Sequence, residues 1–148
     1  MKSGQSLRVL VVEDEILIAL ELESLLQDSG HEVVGIAASS PDAIALGGEL
    51  RPDIAFVDIH LADGPTGVEV ARRLSGEFGV TVLFMTANAK RIPEDCAGAQ
   101  GFISKPYTER GVRQALAYVT ANDQTPPVAD SLTFVPFGRP NERSASTS

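Results

Sequence analysis

Leu7-Arg8-Val9-Leu10-Val11-Val12 is a short, nearly unbroken apolar run, and it stops abruptly in Glu13-Asp14-Glu15. Such a run, too short for a helix and rich in Val, is what a strand covered on both faces of a parallel sheet looks like. The next stretch has a different rhythm: Ile16, Leu17, Leu20, Leu22, Leu25 and Leu26 fall on one broad helical stripe that ends at Ser29-Gly30.

The same unit recurs along the chain. Further apolar runs stand at Val33–Ala37, Ile54–Val57, Val80–Met85 and Gly101–Ser104. A second helix is predicted to open at Ser40-Pro41, with Ser40 as cap and Pro41 at the first turn, where its missing N–H is harmless. Thr66-Gly67-Val68-Glu69 reads as a capping box for a third. Between Asn88 and Ala99, Pro93 and Gly98 leave room for a short or mobile fourth helix only, and a fifth starts at Thr108 with Val112, Leu116 and Val119 on its apolar side. Alternation of strand and helix, five times over, specifies a doubly wound α/β fold on a five-stranded parallel sheet.

Composition narrows the class. The chain has 148 residues, a net charge of −8, 43% hydrophobic and 22% charged residues, the balance of a globular domain. The acidic excess disfavours a nucleic-acid partner, since affinity for phosphates comes from Lys and Arg. No apolar stretch is long enough to span a membrane and no secretion signal opens the sequence, so membrane insertion is not expected and a cytoplasmic location is. Cys96 is alone and reads as a small buried hydrophobe, and His31 as a solvent-facing turn residue. After Asn122 the composition turns to Pro and Ser, the pattern of a largely disordered tail. Within it Leu132-Thr133-Phe134-Val135-Pro136-Phe137 is apolar, so that it either docks on the domain, where it could pair with a sheet edge, or binds something else. The expected layout is an extension over 1–6, a domain over 7–121 and a tail over 122–148.

In open parallel sheets ligands bind beyond the carboxyl ends of the strands. Those ends carry Glu13 and Asp14 after the first run, Asp58 after the third, Thr86 after the fourth and Lys105-Pro106 after the fifth. Three carboxylates converging there repel one another unless a hard divalent cation sits among them, and Mg²⁺ suits a shallow, wet oxygen site. With the ion, the Lys105 ammonium and the Thr86 hydroxyl nearby, Asp58 has the positioning and charge stabilisation that phosphoryl transfer requires. Helix or loop capping explains any one of these acidic residues equally well, but not the lysine and hydroxyl on the same edge.

Together these residues resemble the receiver domain of bacterial two-component response regulators, the chemotaxis-regulator-like family, over roughly residues 7 to 120. The resemblance implies a flavodoxin-like (βα)5 fold with strand order 2-1-3-4-5. It implies Glu13, Asp14 and Asp58 as Mg²⁺ ligands, Asp58 as phosphoacceptor, Thr86 and Phe102 as switch residues, Lys105 as the family's lysine and a cis Lys105-Pro106 bond. His60 and Asn88, two residues beyond Asp58 and Thr86, are candidates for tuning phosphoryl lifetime. Phe84-Met85-Thr86-Ala87-Asn88 is similar in part to a subgroup with a Phe-Ala-Thr-Gly-Tyr signature, whose fourth helix is often short.

The implied function is that of a stand-alone response regulator and not a turnover enzyme. It would take a phosphoryl group from a histidine kinase or phosphotransfer protein and signal to a downstream protein by contact. The alternative is a phosphate sink or kinase-docking inhibitor that acts mainly by binding. A flavin-binding protein or a phosphatase is disfavoured, because the acidic turn after the first strand is the reverse of a glycine-rich phosphate cradle.

Overall fold

A computed structural model describes residues 6–120 and 134–137. Five strands, β1 (Arg8–Val12), β2 (Glu32–Ala37), β3 (Ile54–Asp58), β4 (Thr81–Thr86) and β5 (Gly101–Ser104), alternate with helices α1 (Ile16–Asp28), α2 (Ser40–Leu50), α3 (Gly67–Phe78) and α4 (Glu109–Thr120). A sixth strand, β6 (Phe134–Pro136), comes from the tail. The sheet order is β2-β1-β3-β4-β5-β6, with every pair parallel except the last. The doubly wound order expected from the sequence is present, and β6 must be added to it, running antiparallel along β5. The sheet is thus six-stranded and mixed, and the apolar part of the tail lies on the edge of the domain. The remaining tail residues fall outside the described ones.

The side chains of the central strands divide between two apolar layers. Val9, Val11, Phe56, Leu83, Met85 and Ile103 pack under α1 and α4, while Leu10, Val12, Val57, Val82 and Phe84 pack under α2 and α3. Alternation of the pleat sends successive residues to opposite layers, which is why β1, β3 and β4 read as continuous apolar runs. β2 is the exception: lying at the sheet edge, it is half-buried from Val33 to Ile36.

Several local expectations need correction. The stripe on α1 splits in two: Leu22 and Leu26 are buried together with Ala19, whereas Ile16, Leu17 and Leu20 are 58%, 74% and 46% exposed. Residues 16, 17 and 20 lie on the side of the helix away from 19, 22 and 26, so the one broad stripe is two faces. Ser40 is the first helical residue of α2 and not its cap, and its hydroxyl donates to Asp63 Oδ2 at 2.6 Å. Thr66 precedes α3, but its hydroxyl also goes to Asp63, at 2.8 Å, so no capping box forms. Asp63 therefore ties the starts of α2 and α3 to the loop beyond β3, and these hydrogen bonds hold its carboxyl below the usual range. His31 is half-buried rather than solvent-facing, and its Nδ1 accepts the Leu7 N–H at 3.1 Å.

Between β4 and β5 the chain forms only two short 3₁₀ turns, Ala89–Arg91 and Cys96–Gly98. The short fourth helix expected there is reduced to these turns. Cys96, as expected, is buried.

Candidate functional site

The loops leaving the carboxyl ends of β1, β3, β4 and β5 surround an open depression of about 270 Å³ lined by Asp14, Glu15, Asp58, His60, Thr86, Ala87 and Lys105. Each polar group is fixed by the strand that delivers it. Asp58 is the last residue of β3 and only 6% exposed, and its Oδ1 accepts the His60 N–H at 3.1 Å. Glu13, 1% exposed, continues β1 toward β2, its N–H donating to the Ala37 carbonyl at 2.9 Å, while its Oε2 accepts the Glu15 N–H at 3.1 Å. Lys105 comes directly after β5, its N–H donating to the Thr86 carbonyl at 3.0 Å, and the Lys105–Pro106 bond is cis.

The Lys105 ammonium stands between the two buried carboxylates, 2.8 Å from Asp58 Oδ2 and 3.1 Å from Glu13 Oε1. Burial pulls its pKa down, but the hydrogen bond and charge of Asp58 and the charge of Glu13 outweigh this, and the net shift is upward. One cation does not satisfy the whole acidic set. Carboxylate oxygens of Glu13, Asp14 and Asp58 lie within 4.8 Å of one another. Burial pushes Glu13 up to about 7, helped by the neighbouring Asp58 charge and opposed by the Glu15 N–H and the Lys105 charge.

That shift has a measurable sign. Below its unfolded pKa Glu13 is protonated in both states; as pH rises toward 7 the unfolded chain ionises first and the folded chain holds its proton. In metal-free buffer, stability should therefore fall between about pH 4.5 and 7, by on the order of 1–3 kcal/mol, and level off above. Glu13→Gln should remove this component from a urea-unfolding pH series; an unchanged slope would contradict the assignment.

An oxygen-only, closely spaced donor set of this kind fits a small hard cation such as Mg²⁺ better than a soft metal. Glu13, Asp14 and Asp58 are the residues that would hold it, with the exposed Asp14 on the solvent side.

The other residues singled out from the sequence take varied positions. The Thr86 hydroxyl is engaged by the loop after β4: it donates to the Asn88 carbonyl at 3.2 Å and accepts the Asn88 N–H at 3.0 Å. Asn88 itself turns toward the 3₁₀ turn, where its Oδ1 accepts the Lys90 N–H at 3.1 Å, and it does not line the depression. His60 is on the rim and exposed. Phe102 is half-buried on β5, its ring 6.0 Å from that of Phe137.

The sequence places Gly67 only in the stretch after Asp58 that resembles the family's loop, and gives no physical reason for it. A Cβ there would lie 2.1 Å from the Asp58 carbonyl oxygen and 2.6 Å from the Ile59 Cα, so the start of α3 is packed directly against the backbone that carries Asp58. Nor does it single out Tyr107, whose hydroxyl donates to the Ile18 carbonyl at 3.1 Å; burial, with the Glu21 and Glu13 charges, raises its pKa to about 12. Tyr107 fixes the loop after β5 against α1.

Comparison with known proteins agrees with this geometry. Residues 9–117 match the response regulator receiver domain family. The phyllosphere-induced regulator PhyR of Methylorubrum extorquens is 33% identical over 79% of this chain and 45% of its own length. The virulence transcriptional regulatory protein PhoP of Salmonella typhimurium is 37% identical over 68% of this chain and 46% of its own. The chain thus spans about half the length of these curated relatives. Among solved structures, the receiver domain of the Erythrobacter litoralis PhyR response regulator superposes with a TM-score of 0.74 at 31% identity, covering 86% of this chain and 99% of that one. The PhyR response regulator of Brucella abortus gives 0.61 at 32% identity over 71% of this chain and 44% of that one. With the family model spanning most of the chain, and the fold and strand order alike in agreement, the protein belongs to the response regulator receiver domain family.

Proposed function

We propose that the chain is a phosphorylation-dependent signalling protein in which Asp58 accepts a phosphoryl group from a phosphohistidine of a histidine kinase or phosphotransfer protein. The observation that carries this reading is the Lys105 ammonium bonded to both Asp58 and Glu13 at the open end of the sheet, beside an unsaturated carboxylate set. An Asp58 carboxylate oxygen attacks phosphorus, the P–N bond to the donor imidazole breaks, and an acyl phosphate forms. Bound at Glu13, Asp14 and Asp58, Mg²⁺ would neutralise charge on the transferring oxygens. Lys105 then shifts from the Asp58 carboxylate to a phosphoryl oxygen, and Thr86 exchanges its bonds with Asn88 for one to the phosphoryl group. That exchange frees the Asn88 backbone and the turn it caps, which changes the surface between β4 and β5.

The chemical test is incubation with acetyl phosphate. A hydroxylamine-labile phosphoryl group that forms with Mg²⁺ and not with EDTA is expected; equal labelling in both would contradict the metal-assisted reading.

Ile16, Leu17 and Leu20 at the start of α1 are exposed and follow Asp14 and Glu15 of the rim in the chain, which offers apolar surface to a protein donor reaching Asp58. Leu17→Asp should leave uptake from acetyl phosphate within about twofold of wild type. It should slow transfer from a protein donor by about tenfold or more, the loss of one buried apolar contact plus a misplaced charge. Equal effects on both donors would place Leu17 in folding rather than docking.

A second reading, action chiefly by binding, draws on relatives: a solved Bartonella quintana neighbour is described as the anti-anti-sigma factor PhyR. The apolar tail segment does not favour docking to a kinase through that segment, since Phe134 is buried in the domain's own core.

A further inference from the structure

β5 would be the edge of the sheet if the chain ended with α4, and it is built to take another strand. Gly101 opens it, and a Cβ at that position would lie 2.7 Å from the Val135 carbonyl oxygen and 2.8 Å from the Phe134 ring. The absent side chain is therefore the space the added strand uses. The pairs are Gly101 with Pro136, Phe102 with Val135 and Ile103 with Phe134, and the Phe137 N–H donates to the Gln100 carbonyl at 3.0 Å. In this antiparallel register alternate residues of β6 face β5, which turns the Pro136 nitrogen outward, so its missing N–H costs no ladder bond.

Two aromatic rings grip the edge from opposite faces of the sheet. Phe134 is 1% exposed and packs on Tyr118 of α4, ring centroids 5.5 Å apart, within the layer under α1 and α4. Phe137 packs on Phe102 within the other layer. The receptor is thus a glycine gap flanked by Tyr118 and Phe102, and its ligand is an extended segment with aromatic residues three apart. Such an edge, long enough to pair and lined by aromatics, is the usual substrate for strand addition by another chain. Among the described residues, Phe134 to Pro136 pair with it, and they belong to the same chain, beyond the end of α4.

We propose that the β5 edge is a strand-docking site for a partner protein's extended Phe-x-x-Phe-type segment, and that Phe134–Phe137 is an autoinhibitory strap holding this site closed in cis. Because the strap is part of the same chain, its docking is intramolecular and outcompetes a free strand of equal intrinsic affinity at low concentration. A competing strand binds only after displacing it. β5 ends one residue before Lys105, so the edge and the carboxylate site share one short element.

The test uses the full chain and a fluorescein-labelled peptide with the sequence of residues 130–140. Phe134→Ser releases the strap's main anchor and should bind the peptide at least tenfold more tightly than wild type. Adding Gly101→Ala, which fills the gap, should abolish that binding. Phe137→Ala, altering a half-buried residue, is the milder second release variant if Phe134→Ser does not unfold cooperatively. Wild type and release variants binding the peptide equally, or a cooperatively folded release variant that does not bind it, would overturn the proposal. Persistence of binding in the Gly101→Ala double variant would show that the peptide does not use the β5 edge, and would overturn it too.

Discussion

Lys105→Ala should lower the rate of phosphoryl uptake from acetyl phosphate by about 10²–10³-fold, the effect of deleting one preorganised charge from a phosphoryl-transfer site. The magnitude comes from the place of the ammonium: it is the cation shared by Asp58 and Glu13, at 2.8 and 3.1 Å, and its side chain is mostly shielded from water. Mg²⁺ binding should not be lost with it. Removing a positive charge from beside three carboxylates makes the site more attractive to a divalent ion, so affinity should rise while reactivity falls. The folded state tolerates the change because Glu13, already pushed up to about 7, can take a proton and limit the uncompensated charge. Lys105→Arg should rescue little, since a planar fork does not replace a point charge set between two oxygens. Uptake at the wild-type rate in Lys105→Ala would remove the lysine from the chemistry.

Gly67→Ala should damage the same site without touching any ionisable group. The added methyl would meet the backbone of Asp58 and Ile59, not a flexible side chain, so either α3 shifts or the end of β3 bends. The expected cost is about 1–3 kcal/mol of stability, typical of overpacking. A displacement of about 1 Å at the reacting carboxylate is enough for on the order of 10²-fold in rate. Gly76→Ala is the control, because a Cβ there meets nothing within 4 Å. In the body of the same helix it should stabilise by about 0.5–1 kcal/mol and leave uptake unchanged. Urea unfolding and initial uptake rates on both variants check this; equal behaviour of the two would mean that the contact of α3 with Asp58 does not matter.

The parts of the molecule legible in the sequence are those whose physics is local or strictly periodic. Runs such as Leu10 to Val12 and Ile54 to Val57 announce two-sided burial, and the residue after each run marks a strand end. Glu13, Asp58 and Lys105 can therefore be assigned to one edge before any distance is known. The sequence misleads where a tertiary partner decides the outcome. Ser40 and Thr66 carry cap chemistry, yet both hydroxyls go to Asp63, a residue remote from Ser40 in the chain. The stripe on α1 looks broader than it is because leucines at 17 and 20 resemble core until the helix is docked. Gly67 is legible only as part of the loop that resembles the family's, since a glycine at a helix start does not reveal that a strand backbone lies beneath it. The sixth strand is half legible: Phe134 and Phe137 are conspicuous in a polar tail, but only the gap at Gly101 and the rings of Tyr118 and Phe102 explain where they go.

The central claim is that Asp58 is the phosphoacceptor of a Mg²⁺-assisted reaction, and intact mass after exposure to acetyl phosphate tests it most directly. Wild type with Mg²⁺ should gain one phosphoryl group, wild type with EDTA should not, and Asp58→Asn should gain none under either condition while unfolding as cooperatively as wild type. A phosphoryl group carried by Asp58→Asn, or no gain by wild type in the presence of Mg²⁺, would contradict it.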